Sequence, residues 1–181
     1  MINEDTKAII VPGNGDGRPN ERWRPYVAYE LSKLGIGVIN LRFPDPEIAR
    51  KQYWLPFLAD LGADDNTILI GHSSGAAAAL RYAENHQLLG SVLIGAAYTD
   101  LNDETEKASG YFVDEWQWQA IRNNQEWVIQ FASIDDPHIP IEEMRHIAEH
   151  VGARYHEFSD RGHFSEGEEF PELIEVIKEK M

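Results

Sequence analysis

The sequence predicts an α/β domain in which helices flank a six-stranded, mainly parallel sheet. Three observations predict it. Short apolar and β-branched runs bounded by glycine, proline or asparagine recur along the chain, as buried parallel strands do. Between them lie segments whose apolar residues follow the helical period. The two kinds alternate, six strands with helices between, which is the pattern of right-handed crossovers in a doubly wound sheet. With 181 residues, one domain buries about 70% of the surface that the unfolded chain exposes. No internal repeat, low-complexity segment or linker marks a second, so residues 1–181 are expected to form one domain.

The first strand is expected at 7–11, K-A-I-I-V, and it stops at a glycine-rich loop, P-G-N-G-D-G, over 12–17. That loop is not a dinucleotide fingerprint, because Arg18 stands where G-x-G-x-x-G needs its third glycine, and it lacks the Gly-Lys-Ser/Thr of a P-loop. A helix is expected over 20–34, with Asn20 as its N-cap, Pro25 near its start and apolar residues at 23, 26, 27, 31 and 34. The second strand, 37–43, ends at Pro44-Asp45-Pro46. A helix over 47–62 carries Ile48, Tyr53, Trp54, Phe57, Leu58 and Leu61, bent near Pro56. The third strand, 67–70, feeds a helix running from 75 to about 86, and the fourth strand is expected at 91–97. Residues 98–117 form the one long irregular stretch, a type of connection that often serves as a lid or binding loop. Its Tyr111, Phe112 and Trp116, with the adjoining Trp118, either pack it onto the body or line a pocket. A fifth strand at 127–133, a helix at 141–151, a sixth strand at 154–158 and a closing helix at 170–180, with Pro171 in its first turn, complete the chain.

Thirty-one acidic residues against sixteen basic ones give a formal charge of −15. Such a field repels nucleic acid and anionic membranes, so neither is an expected partner. The absence of cysteine excludes disulfides, a thiol nucleophile and thiolate metal sites, and suits a reducing compartment. The N-terminus, M-I-N-E-D-T-K, is polar and acidic, and no stretch approaches 18 apolar residues. A soluble, cytoplasmic protein is expected.

The chemistry concentrates at G-H-S-S-G, residues 71–75, between the third strand and its helix. This is G-x-S-x-G in the context that gives the pattern meaning, a turn so tight that positions 71 and 75 tolerate almost no side chain. Small residues packing an ordinary strand-to-helix turn would give the same five letters. The catalytic reading puts Ser73 at the apex, beside the positive end of the helix, and lets Ser74 lend its backbone N–H to an oxyanion hole. The loop after the first strand would supply the second N–H, for which Asn14 is the candidate.

A serine hydroxyl needs a base within hydrogen-bond reach and a group that orients the base. The fifth strand runs into S-I-D-D-P-H-I-P and the sixth into R-G-H-F, offering Asp136 and His163 at strand ends. The order Ser73, Asp136, His163 is that of α/β-hydrolases and of neither protease arrangement. Asp135, Asp100 and Asp103 are rivals for the acid; His156, within a strand, and His138, across the turn from the acid, are rivals for the base. A different class is suggested by His146-Ile147-Ala148-Glu149-His150, an H-x-x-E-H match to a zinc-protease pattern. Its helix is expected on the flank of the sheet, away from the strand ends.

Taken together, V-P-G-N-G at 11–15, P-D-P at 44–46, W-L-P-F at 54–57, I-G-H-S-S-G at 70–75, A-S-G-Y-F at 108–112, W-Q-W at 116–118, D-D-P at 135–137 and G-H-F at 162–164 resemble the small serine hydrolases typified by retinoblastoma-binding protein 9. The resemblance covers nearly the whole chain. It implies a minimal α/β-hydrolase fold without a large cap domain, the triad Ser73, Asp136 and His163, and activity on small esters or amides, including amino-acid derivatives. No cofactor is implied. The namesake's L-x-C-x-E motif is replaced by Leu61-Gly62-Ala63-Asp64-Asp65, so binding of the retinoblastoma protein is not expected. A non-catalytic binding protein that kept the fold is the competing reading.

Overall fold

The computed structural model describes residues 2–15 and 17–181; Met1 and Asp16, the latter within the glycine-rich loop, lie outside them. Six strands run in the order β2-β1-β3-β4-β5-β6, every neighbouring pair parallel. They are β1 (Lys7–Val11), β2 (Gly37–Ile39), β3 (Thr67–His72), β4 (Leu88–Ile94), β5 (Gln125–Ser133) and β6 (Arg154–Phe158). The helices are α1 (Arg24–Lys33), α2 (Lys51–Asp60), α3 (Ser74–Ala83), α4 (Glu104–Ser109), α5 (Trp118–Asn123), α6 (Ile141–Val151) and α7 (Pro171–Lys178).

Alternation along the strands divides the core into two layers, because successive side chains leave a strand on opposite faces. Ile9, Val11, Leu69 and Leu93 meet Trp54 and Leu58 of α2, the alanines of α3, Ile121 of α5 and Ile147 of α6. Ala8, Ile10, Ile68, Ile70 and Val92 meet Val27 and Leu31 of α1 and Leu173, Ile174 and Ile177 of α7. Strands β3 and β4 are buried at every residue, as the central strands of a parallel sheet covered on both faces are. The chain steps from β1 to one side for β2 and to the other for β3, so winding reverses between β1 and β3. A crevice opens at the strand ends there, and it receives the glycine-rich loop and the G-H-S-S-G turn.

Several boundaries differ from the expected ones, each for a local reason. The first helix begins at Arg24 rather than residue 20, because Arg22 has a left-handed φ of 55° and Trp23 is the N-cap. Strand β2 ends at Ile39, where Asn40 turns its Nδ2 to the Pro19 carbonyl at 2.8 Å. Helix α2 starts only at Lys51, after positive φ at Asp45 and Ala49. The fourth strand lies three residues earlier than expected and ends before Gly95, whose φ is +55°. The stretch 98–117 is not wholly irregular: it holds α4, capped by Asp103 through the Thr105 and Glu106 N–H groups. It leads into the unanticipated α5.

Candidate active site

Ser73 stands between β3 and α3 with φ 55° and ψ −121°, a conformation that side-chain-bearing residues adopt only under strain of about 1–3 kcal/mol. The surrounding glycines show what holds it there. A Cβ on Gly71 would fall 2.4 Å from the Gly75 carbonyl oxygen, and one on Gly75 would fall 2.3 Å from the oxygen of Val11 and 2.4 Å from that of Pro12. These are backbone atoms that cannot swing aside. Gly75→Ala is therefore expected to lower stability by about 3 kcal/mol, read from urea unfolding. The Ser73 N–H donates to the Ile94 carbonyl at 2.9 Å, and its own carbonyl accepts from Ala76 at 2.8 Å, tying the turn to β4 and α3.

His163 follows β6, and Asp136 follows β5. His163 Nδ1 donates to Asp136 Oδ2 at 2.7 Å. The other oxygen, Oδ1, accepts the N–H groups of His138 at 2.8 Å and Ile139 at 3.0 Å, so the carboxylate is saturated while fully buried. Burial pushes its pKa up, but the His163 hydrogen bond, attraction to that ring and the two backbone N–H groups outweigh this and hold it below the usual carboxylate range. Ser73, Ser74, Asn14 and His163 line one cavity of about 640 Å³. Ser74 is the first residue of α3, where the N–H has no intrahelical acceptor.

A family model described as serine hydrolase matches residues 8–179. The rat serine hydrolase RBBP9 is 47% identical over 176 residues, 96% of this chain and 94% of that protein. The chain belongs to the serine hydrolase family. That membership places it among hydrolases. The crystal structure of the ydeN gene product from Bacillus subtilis superposes with a TM-score of 0.86 at 23% identity, covering 96% of this chain and 98% of that one. An esterase from Exiguobacterium antarcticum gives a TM-score of 0.71 at 14% identity, covering 96% and 91%. These likenesses show the α/β-hydrolase fold. Among the described residues, no helix is long and apolar enough to cross a membrane.

The rival residues of this serine hydrolase have other partners. Asp135 accepts from Ser133 Oγ at 2.6 Å and from the Gly162 N–H at 2.8 Å, which fixes the loop that carries His163. Asp103 caps α4, and Asp100 accepts the Asn102 N–H. His156 stacks on Phe131 within the sheet packing, and His138 touches the His163 ring edge-on at 5.1 Å. In the H-x-x-E-H segment, the rings of His146 and His150 stack on one another at 3.9 Å, and Tyr98 covers His146 at 4.0 Å. Rings laid face to face make a packing column. Of the four aromatics in and beside the insertion, Phe112 lines the cavity. Tyr111 is fully buried, and Trp116 binds the Tyr98 carbonyl and stacks with Trp118.

Three residues escape a reading of the sequence. His72 is visible inside G-H-S-S-G, yet nothing in the motif gives it a role. In the fold its Nε2 donates to the His163 carbonyl at 2.7 Å, linking the serine turn to the histidine loop. Trp23 supplies a second tie, its Nε1 donating to the Phe164 carbonyl at 3.0 Å. Phe164 has a φ of 53°, so these two ring N–H groups hold a strained loop. Glu106, in the insertion, accepts from Asn14 Nδ2 at 2.9 Å.

Burial, helped by repulsion from His163, lowers the His72 pKa to about 3, so the ring stays a neutral donor through the working range. The unfolded chain protonates that histidine near pH 6.5 while the folded one does not. Stability therefore rises with pH from about 3 to about 6.5, on the order of 1.4 kcal/mol per unit from this group. His72→Gln keeps an N–H at similar reach and is expected to flatten that slope in urea titrations run from pH 4 to 7.

Proposed function

We propose that this serine hydrolase cleaves small ester or amide substrates through an acyl-enzyme, with Ser73 as nucleophile, His163 as general base and then acid, and Asp136 as the orienting carboxylate. The observation that carries the reading is the His163 to Asp136 hydrogen bond, in a cavity lined by His163 and by a serine on a strained strand-to-helix turn. With its Nδ1 proton committed to Asp136, the imidazole offers Nε2 as the proton acceptor. Ser73 Oγ bonds to the substrate carbonyl carbon as its proton passes to Nε2. The oxyanion is held by backbone N–H groups of Asn14 and Ser74, each worth about 3 kcal/mol in the transition state. Collapse breaks the bond to the leaving alcohol or amine, which takes the proton from Nε2. Water then repeats the sequence and frees the acid and Ser73. The cavity volume lies within the range of small-molecule sites.

The test is labelling of the native protein with a fluorophosphonate, followed by peptide mapping. An adduct on Ser73 is expected; its absence, with ester turnover intact, would reassign the nucleophile. A panel of acyl esters and aminoacyl amides of increasing length then separates esterase from amidase preference.

A further inference from the structure

Glu106 occupies a position that its surroundings do not favour for a carboxylate. It is largely withdrawn from solvent, which raises its pKa, and the donors that reach it are neutral. Burying a charge without an opposite one is unfavourable unless hydrogen bonds compensate. Those donors are Asn14 Nδ2 at 2.9 Å and Ser74 Oγ at 3.4 Å, both on Oε1. They belong to the two segments, the loop after β1 and the first turn of α3, that carry the candidate oxyanion N–H groups.

The strut behind this carboxylate is stiff. Arg81 of α3 is buried, and its guanidinium donates to the carbonyls of Tyr111 at 2.7 Å, Asp114 at 2.6 Å and Glu115 at 3.1 Å while pairing with Glu84 at 2.6 Å. Trp116 covers the guanidinium at 3.6 Å. Ser109 Oγ donates to the Glu106 carbonyl at 2.6 Å. The insertion is thus anchored to the same helix whose first residue Glu106 touches. It behaves as a brace, with its carboxylate pressed against the serine turn.

We propose that Glu106 is a positioning residue: one carboxylate oxygen draws Asn14 and Ser74 together and sets the spacing of the two oxyanion donors. A side-chain oxygen suits this role because its lone pairs accept two donors at once. A charge here would oppose the nearby oxyanion, so the role is one of alignment rather than of electrostatic attraction. This rests on the acyl-enzyme reading above.

The experiment compares wild type, E106A, E106Q, N14A and the N14A/E106A double variant for kcat, KM, melting temperature and inhibition by a boronic acid, whose tetrahedral adduct fills the oxyanion site. E106A is expected to lose about 10- to 100-fold in kcat with KM within about twofold. Boronate affinity should fall by the same factor, and E106Q, keeping an acceptor oxygen, should recover most of the loss. N14A removes only the side-chain donor, so the double variant should be no worse than the poorer single one. Wild-type kcat and boronate affinity in E106A, a loss confined to KM, or additive losses in the double variant would each overturn the proposal. Should E106A fail to fold, N14A, which cuts the same Asn14 to Glu106 link from its other end, gives the same readouts. Fluorophosphonate mapping of the wild type separates the two layers: an unlabelled Ser73 defeats the acyl-enzyme reading and this inference with it. A labelled Ser73 beside an unaffected E106A defeats the role of Glu106 alone.

Discussion

Ser73→Ala is expected to lower kcat by roughly 10⁴- to 10⁶-fold while leaving the fold as stable as before. The two halves of this expectation have different physical origins. On the proposed mechanism, removal of Oγ takes away the atom that forms the acyl bond, so what would survive is water attack assisted by the proposed oxyanion donors. The contacts that hold the turn are backbone ones, the N–H to Ile94 and the carbonyl to Ala76, and the Ser73 side chain makes no capping bond to α3. Alanine keeps all of these. Stability by urea unfolding should change by no more than about 0.5 kcal/mol. Turnover of a small ester by Ser73→Ala at the wild-type rate would transfer the activity to another group, and an absence of turnover in both proteins would favour a binding module that kept the fold.

How far the sequence can be read depends on how local each cause is. Strands β1 and β6 and helix α6 lie where expected, because each is bounded by a strong local signal: Pro12, a Gly152 in the left-handed conformation and Pro140. Strand β4 starts at Leu88 rather than the expected 91, and its Gly90 gives up its side chain to the Trp127 ring, which a Cβ would approach to 2.4 Å. That packing partner is distant in the chain and leaves no trace near position 90. The G-H-S-S-G turn is legible from its place between a strand and a helix, although only Gly71 answers to atoms of the motif and its helix, while Gly75 answers to the distant carbonyls of Val11 and Pro12. Asp136 is favoured over Asp135 in the sequence by its place after the strand, and the fold gives the two neighbours separate partners, the His163 ring for one and the Gly162 N–H for the other. Glu106 has no local signature. Its partner Asn14 is 92 residues distant, and the anchoring of the insertion by Arg81, Glu143 and Lys51 brings them together.

Asp136→Asn is expected to cost about 10⁴-fold in kcat with KM nearly unchanged, although it alters one atom. The geometry dictates how an amide would sit. Its oxygen must stay with the N–H groups of His138 and Ile139, which are donors only, as Oδ1 does now. The amide nitrogen then faces His163 Nδ1 and donates to it. Nδ1 becomes an acceptor, the ring proton moves to Nε2, and the nitrogen that should take the Ser73 proton already carries one. On the proposed mechanism, loss of the negative charge also removes the partner that would stabilise the imidazolium formed during attack. A second readout follows from the carboxyl's depressed pKa. In wild type this group contributes stability that is complete above the ordinary aspartate pKa and lost as pH falls through the lower folded value. The amide of the variant does not titrate, so the acid limb of its stability curve should be shallower. Retention of kcat within tenfold, with rates of fluorophosphonate labelling indistinguishable between the two proteins, would show that the imidazole does not depend on this carboxylate for its tautomer.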